Sequence, residues 1–197
     1  MRLFHYSNIL AHARLRKNCE NTMTKHTSKL LFALAFSFTL FTAGRAEAQT
    51  DHESPERLVA AVYDVISGEA GKQRDWERFR SLFHPSARLI ATGRNPNTGA
   101  AVVVSMTPEE YITRNEAFLR DGFIEREIGS KTDRFGNIVH VFSSYEAFRS
   151  TKDEKPFLRG VNSFQLVYDG KRWLVMTILW QAEDRDNPLP AHLDKRN

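Results

Sequence analysis

The chain has almost no cysteine: a single one, Cys19, in 197 residues. An intrachain disulfide framework and a cysteine-rich zinc site are therefore excluded. Charge of one sign is scarcely in excess either. There are 28 Lys and Arg against 24 Asp and Glu, a formal net charge of +4. Seven of those bases but only two of the acids lie in residues 1–48, which leaves 21 bases against 22 acids in residues 49–197. A near-neutral body has no cationic face broad enough to release many counterions, so nucleic acid is not an expected partner. Gly-rich phosphate loops, nucleophile-elbow patterns, HExxH spacing and basic–aromatic stripes are all missing. His52, His84, His140 and His192 are far apart in sequence, so neither a metal nor a cofactor is expected. What is present is 41% hydrophobic and 26% charged residues, ordinary for a globular domain and too apolar for a disordered chain.

The one long apolar run is Leu30 to Ala43, LLFALAFSFTLFTA, 14 residues without a charge. It is short of the ~20 residues that a helix needs to cross the hydrocarbon core. Lys25, His26 and Lys29 precede it, and Ala46-Glu47-Ala48 follows as a small-x-small site before Gln49. The pattern is that of a secretory signal peptide over residues 23–48, cut after Ala48. Residues 1–22 precede a natural start at Met23 and read as an upstream extension. The lone cysteine falls in the removed part, and a thiol-free mature chain suits an oxidising compartment. The expectation is a periplasmic or secreted protein with no stable membrane anchor.

Residues 49–53 read as a flexible leader, residues 54–183 as one domain, and residues 184–197 as an irregular tail. Ser54-Pro55-Glu56 is an N-cap, an N1 proline and a first-turn acid, followed by Leu58, Val62, Val65 and Ile66 at helical spacing. Asp75 caps a second short helix with Trp76, Phe79, Leu82 and Phe83, which Pro85 stops. Arg88 to Thr92 reads as a short strand. Thr107-Pro108-Glu109-Glu110 opens a third helix with a capping box. Beyond Gly122 the apolar period falls from about 3.6 to 2, predicting strands over Phe123–Lys131, Ile138–Phe148, Phe157–Tyr168 and Lys171–Trp180. Helices segregated from strands imply an α+β fold with three N-terminal helices packed on a curved antiparallel sheet.

Asp169-Gly170 is the strongest hairpin signal. A two-residue loop there would pair Tyr168 with Lys171, Leu166 with Trp173, Phe164 with Val175 and Asn162 with Thr177. On the other face Arg159 would meet Trp180, with Val161, Ser163, Gln165 and Val167 beside it. Both faces would then be largely apolar. One would cover helices and a cavity, and the other would meet a second copy, giving a homodimer.

The order of elements and several phrases resemble the NTF2-like (SnoaL-like) superfamily of cone-shaped domains. The residues that carry the likeness are Asp75-Trp76, Phe79 and Leu82-Phe83-His84-Pro85-Ser86-Ala87. Phe135-Gly136-Asn137-Ile138-Val139-His140-Val141-Phe142 and Arg159-Gly160-Val161-Asn162-Ser163-Phe164-Gln165-Leu166 add to it, as does Asp169-Gly170-Lys171-Arg172-Trp173 through Leu179-Trp180. The chain resembles the exported bacterial branch of that superfamily. The resemblance implies a sheet wrapped around helices with a pocket at the wide end. Steroid-isomerase-like members carry a carboxylate base in the first strand, just after an alanine that matches Ala87. Here Arg88-Leu89-Ile90-Ala91-Thr92 follows, with no acid. Their helix-one tyrosine would fall near Val62 or Tyr63, and their electrophilic acid near Ser163 or Phe164. Loss of a general base alone forfeits ~10²–10⁴-fold, so steroid-isomerase chemistry in that form is not expected.

Fold likeness does not decide function. His140, between Val139 and Val141, is the candidate base if it faces the pocket and a core or interface histidine otherwise. Arg159 and Trp180 form a cation–π pair or a carboxylate clamp. Ser163 and Gln165 share a face with Arg159, which suits a ligand pocket as well as a wet dimer interface. Tyr63 and Tyr145 are candidates to point a hydroxyl into the cavity. The leading expectation is a domain that binds a small apolar or amphipathic molecule. The alternatives are an isomerase, dehydratase or cyclase using His140 with Arg159, Ser163 or Tyr63, and a structural dimerisation module.

Overall fold

The computed structural model describes residues 50–95 and 97–194. The proposed extension, signal peptide and cleavage site lie outside them. Helix α1 (Pro55–Ile66) starts where Ser54 accepts a hydrogen bond from the Arg57 amide at 3.2 Å. Helix α2 (Trp76–Ser81) starts on Asp75, whose carboxylate accepts from the Arg78 amide at 2.9 Å. Strands β1 (Phe83–Arg94) and β2 (Ala101–Met106) follow as an antiparallel pair. Only then comes α3 (Pro108–Arg120), opened by a capping box between Thr107 and Glu110. Strands β3 (Ile124–Phe135), β4 (Ile138–Phe148), β5 (Leu158–Tyr168) and β6 (Trp173–Ala182) complete the fold.

Two expectations need correction. Three helices do not form one N-terminal layer, because the β1–β2 hairpin separates the third from the first two. The sheet is also mixed rather than antiparallel. Its order is β2-β1-β6-β5-β4-β3, and β1 runs parallel to β6. The early strand pairs with the edge of the final hairpin that would otherwise stand open, a long-range pairing that no local pattern announces.

The turn after β5 corrects the expected register. Tyr168 pairs with Trp173, so residues 169–172 form a four-residue loop. The Asp169 carboxylate accepts from the amides of Lys171 and Arg172 at 2.8 and 2.9 Å. This side-chain turn closes the loop two residues later than an Asp-Gly hairpin would. Those two amides also hold the Asp169 carboxyl below its ordinary range. A second shift lies further along. Leu166 faces Val175, but Gln165 faces Thr177, so Met176 is an extra residue in β6. Every side chain of β6 beyond it changes face. Ile178 and Trp180 therefore turn toward the helices, opposite Phe164 and Asn162. Further irregularities interrupt β3–β4 at Glu127/Gly129 and β1–β6 at Phe83/Arg88, and such bulges bend the sheet.

The core lies between the inner sheet face and α1. Leu58, Val62, Val65, Val139, Val141, Phe164, Leu166 and Val175 are all buried there, each contributing ~1.5–3 kcal/mol. On the outer face the C-terminal segment runs back over the strands. Ser144 donates to the Leu193 carbonyl, and Arg159 binds Asp194 at 2.7 Å. Part of the face expected to meet another copy is thus covered by the chain itself, while Phe142 and Leu179 stay exposed.

Arg74 joins the ends of the helices. Its Nε donates to the Ile66 carbonyl at 2.8 Å, and Nη2 donates to those of Gly68 and Leu119 at 2.9 and 2.8 Å. Ile66 and Leu119 belong to the last turns of α1 and α3, whose carbonyls have no partner within the helix. Replacing Arg74 by methionine should cost about 2–4 kcal/mol, since several buried carbonyls lose a charged donor together. Urea unfolding of the variant against the wild type measures this.

Candidate functional site

A cavity of about 130 Å³ opens between α1, α2, α3 and the inner sheet face. Its wall is aromatic. Phe79 stacks on Tyr111 with ring centres 5.4 Å apart, and Tyr111 meets Trp180 edge-on at 6.2 Å. Phe164 lies edge-on to Tyr63 at 6.0 Å. An engineered apolar cavity of about 150 Å³ admits benzene, so this space suits a compact molecule of about one ring.

One carboxylate enters that wall, Glu125 of β3. Its placement follows from short-range tethers. Gly68 and Phe123 exchange backbone hydrogen bonds at 2.7 and 3.0 Å, locking the exit of α1 to the entrance of β3. Two residues on, the Glu125 amide donates to the Ser67 hydroxyl at 2.9 Å. That hydroxyl donates in turn to the Tyr63 carbonyl at 2.6 Å. The alternation of β3 then points Glu125 inward, opposite Ala147. The preceding turn needs glycine at 122, where φ is +94° and a Cβ would stand 2.2 Å from the Arg149 carbonyl oxygen.

Burial among apolar groups pushes the Glu125 carboxyl up to about 7. Desolvation penalises its charged form more than its one strong donor can offset. That donor is the Asn162 amide, at 3.0 Å. The same amide nitrogen donates to the Tyr63 hydroxyl at 3.1 Å. Tyr63 Oη is 2.7 Å from Ser143 Oγ, and Ser143 donates to Glu127 at 2.6 Å.

Two further phenols line the cavity, Tyr111 and Tyr145. Neither hydroxyl has a hydrogen bond among the described residues. Burial, reinforced by the charge of Glu125, pushes both phenols up, so they stay protonated donors. Gly160 makes room for one of them, since a Cβ there would stand 2.7 Å from Tyr145 Oη.

Of the residues singled out from sequence, Tyr63, Tyr145 and Trp180 line this cavity. His140, Arg159, Ser163 and Gln165 do not. They occupy the outer face, because β4 and β5 alternate about the buried Val139, Val141 and Phe164. His140 Nε2 lies 3.0 Å from Ser163 Oγ. Arg159 does not face Trp180, which stands opposite Asn162. It is instead within salt-bridge distance of Glu183 and Asp194. The expected Arg159–Trp180 pair fails because the loop is longer and β6 carries an extra residue.

Sequence reasoning passed over Glu125 and Asn162. The available signal was an acid two residues after Phe123, on the face set by that buried aromatic. Among the described residues no group of three or more His, Cys, Asp or Glu is arranged to hold a metal.

No family model matches the chain, and no curated protein matches it. Among solved structures it is similar to a Nostoc punctiforme protein of unknown function with a cystatin-like fold. The identity is 13% and the TM-score 0.50, over 66% of this chain and 89% of that one. It is also similar to an NTF2-like protein of unknown function from Methylobacillus flagellatus, at 13% identity and TM-score 0.44, covering 74% and 97% of the two chains. A candidate ketosteroid isomerase from Parabacteroides distasonis matches at 12% identity and TM-score 0.45, covering 69% and 92%. At such identities the likeness is one of fold alone. The fold shared with the Nostoc protein is an α+β arrangement with a curved, open, mixed sheet.

A carboxyl raised on folding makes stability pH-dependent. The folded state binds the Glu125 proton more tightly than the unfolded state, so stability present below the ordinary value is lost as pH rises to about 7. Glu125→Gln should therefore match the wild type in unfolding free energy near pH 4. It should gain on the wild type as pH rises toward 7 and hold a constant advantage above it. Chemical denaturation across that range checks the sign.

Proposed function

We propose that this domain binds a compact, largely apolar molecule bearing a hydrogen-bond acceptor such as a carbonyl, and that Glu125 transfers a proton on it. One observation carries the reading. A carboxyl that titrates near neutrality shares an aromatic cavity with two phenols that have no partner among the described residues. A base poised near the working pH combines a useful fraction of the charged form with real driving force. Glu125 would take a proton from carbon next to the carbonyl. Tyr111 and Tyr145 would donate to the oxygen as negative charge develops there. The proton would then return from Glu125 either to the same carbon, which amounts to exchange, or to another carbon, which is an isomerisation. His140, on the other side of the sheet, has no part in this reading.

The likeness of fold to proteins described as ketosteroid isomerases is compatible with such chemistry and does not carry it, since this fold hosts unrelated functions. Incubating the protein in D₂O with small cyclic ketones, and following loss of the α-proton signals by NMR, tests the proposal. Wild type should exchange them above the buffer rate, with a rise through pH 7. Glu125→Gln should lose ~10²–10⁴-fold of that rate while still binding the ketone. Exchange unaffected by the substitution would overturn the assignment, and binding without exchange in the wild type would leave a purely binding domain.

We also propose that the protein is exported. The support is sequence alone: Lys25 to Lys29, the uncharged run to Ala43 and the Ala46-Glu47-Ala48 site. No helix among the described residues is long and apolar enough to cross a membrane. N-terminal sequencing of the protein recovered from its native host should begin at Gln49.

A further inference from the structure

The hydrogen bonds behind Glu125 have a direction, and that direction is imposed from the surface. Glu127 is exposed in a separate cleft of about 140 Å³ between α1 and the sheet, on the far side of Tyr63. As a carboxylate it can only accept. It takes the hydroxyl proton of Ser143 at 2.6 Å and that of Ser130 at 2.8 Å. Ser143 has one proton, now committed. In its 2.7 Å contact with Tyr63, Ser143 must therefore accept, and Tyr63 must donate. The phenol proton is then committed too, so Tyr63 Oη accepts from Asn162 Nδ2. This settles which end of the Asn162 amide points inward. The nitrogen faces Tyr63 and Glu125, and the second N–H is delivered to Glu125 Oε1 at 3.0 Å.

The chain has a second self-consistent arrangement. Without an acceptor at 127, the Ser143 proton is released and the Tyr63 hydroxyl can turn to donate to Asn162. The amide must then reverse and present its oxygen to Glu125. A carboxylate is repelled by that oxygen, whereas a protonated acid donates to it. We propose that Glu127, acting through Ser143, Tyr63 and Asn162, is a positioning residue that holds Asn162 as a donor and so keeps Glu125 a base.

The links are almost fully enclosed: Ser143 is 0%, Tyr63 6% and Asn162 7% exposed. Water therefore has little room to reset the direction midway. The titratable groups that face Glu125 are Tyr63 from α1, Tyr111 from α3 and Tyr145 from β4. Those around Glu127 are Glu56 from α1 and Tyr63. The inference rests on the proposed role of Glu125, but its test does not require a substrate.

The full chain, labelled with ¹³C at glutamate carboxyls, is titrated by NMR, with the Glu125 signal assigned by its loss in Glu125→Gln. Through-space charge and relayed direction predict opposite signs. Removing the negative charge of Glu127 would by itself make Glu125 easier to ionise and lower its midpoint. Loss of the donor-facing Asn162 should raise it. Glu127→Leu and Ser143→Ala should each raise the Glu125 midpoint by about half a pH unit or more. Glu127→Gln keeps an acceptor for Ser143 and should not raise it. A midpoint that stays or falls in Glu127→Leu, or in a folded Ser143→Ala, overturns the proposal. Should Ser143→Ala fail to fold, Glu127→Leu decides alone, since position 127 is exposed. An ordinary carboxylate midpoint in the wild type would defeat the proposed proton transfer instead, whatever the variants show relative to it.

Discussion

Strict two-residue alternation along a strand is the constraint on which this structure turns. A side chain on a sheet faces either the helices or the outside, and only an extra residue can change which. Met176 is that residue in β6. Without it Ile178 and Trp180 would stand outside, and the cavity would lose its β6 wall. With it, Trp180 closes edge-on against Tyr111, and the rings of Phe79, Tyr111 and Trp180 line the same cavity as Glu125. The same alternation, unbroken in β4 and β5, keeps His140 and Ser163 away from that space.

The cavity gains its chemical character from imbalance. A surface glutamate is held ionised by water, whereas Glu125 has one amide donor and a wall of rings. Its proton affinity therefore rises to the middle of the physiological range. The three phenols around it respond in the opposite functional sense, because burial keeps them protonated and able to donate. An acid–base group and fixed donors thus sit together without a metal-ligand cluster among the described residues. The tethers Gly68–Phe123 and Ser67–Glu125 hold the carboxylate on a rigid backbone, and Arg74 fixes the helix ends that carry those tethers.

Much of the local structure is legible in the residues. Ser54-Pro55, Asp75 and the Thr107–Glu110 box each open a helix at the expected place, because a cap is a contact between residues three apart. The grouping of Asn162, Phe164 and Leu166 on one face of β5 is also legible from its alternation, whereas only the structure shows that this face is the inward one. Strand β2 escaped notice although Val102, Val103 and Val104 are β-branched. Its residues are mostly exposed, so no alternating pattern marks it. The Asp169 turn was recognisable as a turn, but its length depended on a carboxylate that accepts two amides instead of none.

By itself, then, the order of residues determined where helices begin, where the chain reverses and which residues of β5 share a face, since each rests on neighbours within a few positions. Tertiary structure alone decided the parallel seat of β1 beside β6, the reversal of face at Met176 and the presence of Glu125, rather than His140, in the cavity wall. Those outcomes depend on strands far apart in the chain and on how much water a carboxylate retains once they have closed around it. Neither quantity is a property of any short stretch of sequence.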